Sequence, residues 1–414
     1  MIETENRPER VLIVGVHTDD ISDSKFQTLM KEMKALTETA HGLYVGEITQ
    51  NLDRLDQKSA VGSGKLGEIR DYVIDHDIDL IIFLNELSPS VNMYVENQLE
   101  VKVIDRVQLI LDIFAQRARS RAGKLQVELA QYQYLLPRII GQGQALSRLA
   151  GGIGTRGPGE TKLEQDRRVI RGRIHTIERE LKLLEDHRER TRIRRMSGRE
   201  FNIGLIGYTN AGKSTVLREL TDSDTYVENQ LFATLDPLTR KLTINGHNAF
   251  TITDTVGFID ELPTELIHAF KSTLEEIRYV DVLLHVVDAS HPARNMHEDT
   301  VHALMKDLEM DHIPTLTVYN KEDQLQDGFE PTLHPSIVIS ALDSKGIEKL
   351  KQAIWDICIQ NAEEFQVEIQ PEESELLALY RQKTLVSSIE FNEEYQYYIL
   401  SGYRRRLFDD RNEE

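Results

Sequence analysis

The stretch GYTNAGKST, residues 207–215, decides how this chain is read. It fits G-x-x-x-x-G-K-[ST] and lies between the apolar run NIGLI (202–206) and the helix-favouring VLREL (216–220). A strand, a glycine-bounded loop and a helix in that order form a phosphate cradle. Gly207 and Gly212 let the backbone pass close to phosphate oxygens, so that its N–H groups along Tyr208, Thr209, Asn210 and Ala211 point at them. Lys213 is placed to reach the β- and γ-phosphates, Ser214 to put its hydroxyl on Mg²⁺, and Thr215 to close the loop.

Three shorter motifs follow in an informative order. AFTIT (249–253) reads as a strand that ends in DTVG, Asp254–Thr255–Val256–Gly257. This puts the Asp254 carboxylate near the metal, through water, and the Gly257 N–H at the γ-phosphate. FATLDPLTR (232–240) lies between the cradle and Asp254, and Thr234 stands there as a metal-sensing switch threonine, flanked by Phe232, Ala233, Leu235 and Asp236. After the apolar PTLTVY comes NKED, Asn320–Lys321–Glu322–Asp323. A carboxylate at Asp323 accepts the ring N1–H and the exocyclic amine of guanine, which adenine cannot supply, so the substrate expected is GTP. Ser340–Ala341–Leu342 adds a backbone N–H for the guanine carbonyl; Leu342 stands where many such proteins stack a lysine on the base. One position is unusual. The residue after Gly257 is Phe258, whereas many GTPases carry there a glutamine that orders the attacking water. The positions expected to bear on hydrolysis are Lys213, Thr234, Gly257 and Phe258; the metal is expected on Ser214, Thr234 and Asp254.

Outward from this centre, 414 residues are too many for one ordinary core. The expected fold class is α/β, built as a small α/β domain (1–105), a long antiparallel helical hairpin (106–200), a Ras-like P-loop domain (201–360) and a small β-containing module (361–414). RVLIVGV, GLYVGEIT, IDLIIFLNEL and VKVIDR alternate with helical stretches in the first of these, which implies a mostly parallel sheet. VGSGKLGE (61–68) mimics a phosphate loop, but its spacing is wrong and it reads as a surface turn. The chain has no apolar run long enough to span a bilayer, its start lacks the apolar core of a signal peptide, and Cys358 is its only cysteine and so reads as core filler. A cytoplasmic monomer is expected.

Net charge is −20, which by itself argues against nucleic acid. The mean hides an asymmetry: residues 117–199 carry 20 Lys and Arg against 9 Asp and Glu. Six arginines fall within 188–199, and GQGQALSRLAGGIGTRGPG (141–159) holds seven glycines and reads as a long loop at the hairpin tip. A thin glycine-rich tip with Arg148 and Arg156 suits a narrow RNA-lined cavity, with salt-sensitive backbone contacts.

The cradle, Thr234, DTVG, NKED and SAL in this order resemble the signature elements of a Ras-like GTPase. FATLDPLTR, DTVGFI and GGIGTRGPGETKLEQDRR (151–168) together resemble the HflX family over nearly the whole chain. The resemblance implies a GTPase that binds GTP and GDP and, through the hairpin and loop 141–159, the large ribosomal subunit (its RNA and proteins). It also implies dissociation of stalled ribosomes, with slow intrinsic hydrolysis that the ribosome accelerates. Asn210 resembles the asparagine by which some GTPases hold K⁺ against the phosphates; a plain backbone-capping role is its other reading. Two further functions fit the same residues: a GTP-gated large-subunit binding or assembly factor, and an RNA-directed GTPase that splits nothing.

Overall fold

A computed structural model describes residues 7–150, 158–196, 200–221, 232, 238–254, 257–259, 277–325 and 328–406; side chains at 139–150, 158–163 and 186–196 lie outside that description. The described chain forms two compact units that divide near Leu183.

In the first unit, β1 (Arg10–His17), β2 (Leu43–Asn51), β3 (Leu80–Phe83) and β4 (Lys102–Asp105) form a parallel sheet in the order β2-β1-β3-β4. The interior of β1 is apolar on both faces and wholly buried, as expected of a central parallel strand covered by helices on both sides. Helices α1 (Asp23–Thr39), α2 (Ser63–Asp75) and α3 (Pro89–Leu99) make the crossovers. Their starts are local: Ser22 and Ser88 accept the third backbone N–H beyond themselves, and Pro89 fills the first helical position of α3. VGSGKLGE is the start of α2 rather than a surface turn: Val61 is buried, Gly62 is the N-cap, and Lys65 pairs with Glu68 at 2.6 Å.

Helix α4 (Arg106–Arg117) begins on Asp105, whose side chain accepts Gln108 N–H. Two long helices follow, α5 (Arg121–Ala150) and α6 (Pro158–Met196). Arg121 pairs with Glu180 and Arg173 with Glu128, so the pairings run in opposite senses and the helices are antiparallel. Fully buried Asp105 also accepts Tyr134 Oη at 2.7 Å and Arg138 Nη2 at 2.8 Å, fixing α5 to the end of β4. The expected loop 141–159 needs correction, since α5 runs through to Ala150 and α6 begins at Pro158. Gln142, Gln144, Ala145, Leu146 and Arg148 favour helix strongly enough to carry Gly141 and Gly143, each of which costs about 1 kcal/mol. Residues 151–157 lie outside the described residues.

The second unit holds a six-stranded sheet in the order β10-β9-β8-β5-β7-β6. Its strands are β5 (Phe201–Ile206), β6 (Leu238–Ile244), β7 (His247–Asp254), β8 (Val282–Asp288), β9 (Thr315–Asn320) and β10 (Ser336–Val338); only β6 runs antiparallel. Helices α7 (Lys213–Thr221), α8 (Arg294–Asp307) and α9 (Ser344–Gln360) belong to the same fold, and Cys358 is buried in its core. The C-terminal module is a three-stranded antiparallel sheet, β11 (Glu363–Ile369), β13 (Tyr397–Arg404) and β12 (Leu385–Asn392) in that order, with helix α10 (Ser374–Lys383). Leu385 packs in the larger sheet's core, and buried Arg405 pairs with Asp281 at the start of β8. Among the described residues no helix is long and apolar enough to cross a membrane.

Candidate functional site

The site forms where β5, β7, β8 and β9 end on the same side of the sheet, the usual ligand edge of an open parallel sheet. Residues 207–212 leave β5 and turn into α7. A side chain at Gly207 would meet Val286 O at 2.2 Å, so this position must be bare for the loop to pass over β8. Gly212 has φ +99°, and a side chain there would meet Asn320 Nδ2 at 2.2 Å. Asn210 is exposed with φ 60°, in the left-handed region that asparagine tolerates.

Lys213 is fully buried, its Nζ donating to Gly207 O at 2.9 Å and Tyr208 O at 2.8 Å. Burial pushes its pKa down to about 8, against the pull of the Asp254 carboxylate. Ser214 Oγ donates to Asp254 Oδ2 at 2.9 Å. A hydroxyl and a carboxylate side by side fit a hard, largely hydrated cation shared with phosphate oxygens. No cluster of three or more His, Cys, Asp or Glu suggests a different kind of metal among the described residues. Thr215 is half-buried on α7.

Phe258 is 2% exposed and lies against the phosphate loop. Thr209 N–H donates to Phe258 O at 2.7 Å, and Phe258 N–H donates to Gly207 O at 3.1 Å, a parallel bridge between the two segments. A side chain on Gly257 would lie 2.9 Å from Thr209 Cγ2 and 3.0 Å from Lys213 Nζ, so the position has no room for one beside these two groups. Phe232 is buried with φ 56°. Ala233, Thr234, Leu235, Asp236, Thr255 and Val256 lie outside the described residues.

The residues expected to read the base gather at the end of β9. Asp323 accepts the Ser340 hydroxyl, and Leu342 N–H donates to Ser340 Oγ at 3.4 Å. Leu342 projects to solvent, 75% exposed, while Ala341 is buried and Glu322 exposed. Asn320 does more than the motif suggested. Its Nδ2 donates to Ala211 O at 3.0 Å and its Oδ1 accepts Ala341 N–H at 2.9 Å, so one amide ties the phosphate loop to the base loop.

Three groups here escaped sequence reasoning. Asp288, which ends β8, pairs with Lys321 Nζ at 2.7 Å. Burial alone would raise its carboxyl, but Lys321 and Ser290 hold it below its ordinary value. The Tyr208 ring stacks on His297 of α8 at 3.7 Å, and His291 lies 4.4 Å from His297. His285 in β8 is buried, and its Nδ1 has no partner among the described residues. Burial, His302 and Lys213 together press its pKa down to about 3. Only the position of Asp288 at a strand end offered a sequence cue.

This fold, with its phosphate loop, its Ser–Asp pair and its Asn-Lys-x-Asp turn on one sheet edge, defines a P-loop GTPase domain. Residues 202–321 match the family described as 50S ribosome-binding GTPase; residues 27–115 and 117–195 match those described as GTP-binding GTPase N-terminal and GTP-binding GTPase Middle Region. GTPase HflX of Alkalihalophilus pseudofirmus is 46% identical over 396 residues, 95% of this chain and 93% of its own length. GTPase HflX of Caldanaerobacter subterraneus is 46% identical over 359 residues, 86% of this chain and 82% of its own. A solved GTP-binding protein of Sulfolobus solfataricus in complex with GDP is 24% identical, spans 85% of this chain and 99% of its own, and has a TM-score of 0.46. The chain belongs to the HflX family of GTPases.

Proposed function

We propose that this GTPase binds the large ribosomal subunit and dissociates ribosomes, with GTP hydrolysis allowing its release. Lys213 and the loop N–H groups other than those of Thr209 and Ala211, which are engaged by Phe258 O and Tyr208 O, hold the phosphates. Asp323 and Ser340 read guanine, and Gly257 meets the γ-phosphate. Ser214, Asp254 and Thr234 hold Mg²⁺, which neutralises phosphate charge when bound. Asn210 is the residue for K⁺. The basic hairpin, with exposed Arg168 and Arg171 on α6, supplies phosphate-backbone contacts to ribosomal RNA, and segment 141–159 supplies the tip.

One observation carries the reading of the rate. Phe258 offers the phosphate loop only its main chain, and its side chain is apolar and buried. The usual glutamine amide is missing, so intrinsic hydrolysis is slow and the ribosome completes the site. GTP turnover with and without purified large subunits tests this: a rise of at least tenfold is expected, in line with what one added stabilising group can supply. Equal rates would contradict it.

A further inference from the structure

Phe258 removes one group from the hydrolysis step, and Thr209 offers another beside it. Thr209 is 7% exposed, and its Oγ1 is buried with no hydrogen-bond partner among the described residues. Buried hydroxyls are nearly always paired, and leaving one unpaired is costly. This one sits in the phosphate loop, and both its methyl and Lys213 Nζ lie close to where a side chain on Gly257, the residue assigned to the γ-phosphate, would stand.

The backbone around Thr209 is fixed from two sides. Its N–H is held by Phe258 O, and Gly207 O holds Phe258 N–H. The preceding ring, Tyr208, is stacked on His297. Phe258 therefore acts as a positioning residue through its main chain, and the residue whose backbone it fixes carries the buried hydroxyl that has no partner among the described residues. Asn210, the next polar residue of the loop, is exposed and faces a different duty.

We propose that the Thr209 hydroxyl orients the attacking water in GTP hydrolysis, the duty a glutamine after Gly257 would otherwise hold. It accepts a hydrogen bond from the water and can donate its own proton to a γ-phosphate oxygen. The water oxygen bonds to the γ-phosphorus as the bond from that phosphorus to the β–γ bridging oxygen breaks. The electron pair stays with GDP, and the water proton passes to the departing phosphate. Thr209 undergoes no net change.

The inference rests on the GTPase reading, and the test separates the two. Thr209→Val keeps the shape and the methyl contact but removes the hydroxyl, while Thr209→Ser keeps the hydroxyl. Thr209→Val is expected to lower kcat for GTP by roughly 10- to 100-fold, with KM and GDP affinity unchanged, and Thr209→Ser to restore most of the turnover. Wild-type turnover in Thr209→Val would overturn the proposal. So would loss of GDP affinity in Thr209→Val, or equal loss of kcat in the Val and Ser variants, since either makes the residue structural. Absence of phosphate release by the wild-type protein, alone and with large subunits, would defeat the GTPase reading itself.

Discussion

GDP binding should take up a proton at Lys213, and the size of the effect follows from where that side chain sits. In the free protein the ammonium is fully buried, and burial lowers its pKa to about 8. Diphosphate oxygens beside it favour the charged form and restore its pKa to the ordinary lysine range or above. The sign is therefore fixed: affinity is flat below pH 8 and falls as pH rises through it. At pH 8.5 about three-quarters of free Lys213 is neutral, so binding takes up that fraction of a proton and the affinity is about fourfold weaker than at pH 7. Titration calorimetry at pH 8.5 in two buffers of different ionisation enthalpy reads the uptake directly, and this pH lies short of the ionisation of the base. Equal apparent enthalpies in the two buffers, with equal affinities at pH 7 and 8.5, would refute the reasoning. The same burial is a stability cost. Unfolded lysine stays charged up to about pH 10.5, so the penalty is complete below pH 8 and fades as pH rises from there. Lys213→Met should abolish GDP binding yet stabilise the free protein at pH 7 by up to about 3 kcal/mol, less the cost of the two carbonyls it leaves.

His285 should make the second unit acid-labile. Its folded pKa lies near 3, so the unfolded state takes up the proton first, and stability falls as pH drops below about 6.5. The difference between wild type and His285→Leu in denaturant unfolding should grow by about 2 kcal/mol in the variant's favour from pH 7 to pH 5; parallel pH profiles would contradict this. Asp323→Asn should weaken GDP binding by roughly 10- to 100-fold and improve binding of xanthosine diphosphate, measured by competition; unchanged GDP affinity would remove Asp323 from the base site. Arg405→Ala strands the Asp281 carboxyl, whose pKa burial already raises against the pull of Arg405, and should cost about 3 kcal/mol or more. Adding Asp281→Asn should recover part of that loss; a surface-like cost below about 0.5 kcal/mol would show that the pair does not hold the module.

The P-loop domain was legible because its motifs are local. Each glycine, lysine or carboxylate role in GYTNAGKST, DTVG and NKED follows from a fixed offset after an apolar run. The parallel sheet of the first unit was legible for a similar reason, since RVLIVGV and VKVIDR are too apolar to lie anywhere but inside. What could not be read were the links between motifs. Asn320 is 109 residues from Ala211 in sequence, and Lys321 is 33 from Asp288, so no periodicity reports either bond. The stack of Tyr208 on His297 likewise depends on how α8 packs. The misjudged stretch 141–150 shows the opposite failure. A high glycine count signals a loop, but the Gln, Ala, Leu and Arg between the glycines are enough to continue α5.

The central claim is that nucleotide-dependent binding to the large subunit separates ribosomes. Intact ribosomes incubated with the protein and a non-hydrolysable GTP analogue, then sedimented and scored for free subunits, test it most directly. Subunit release is expected with GTP and with the analogue, the protein staying on the large subunit in the second case, and little release with GDP. Intact ribosomes in all three conditions would contradict it.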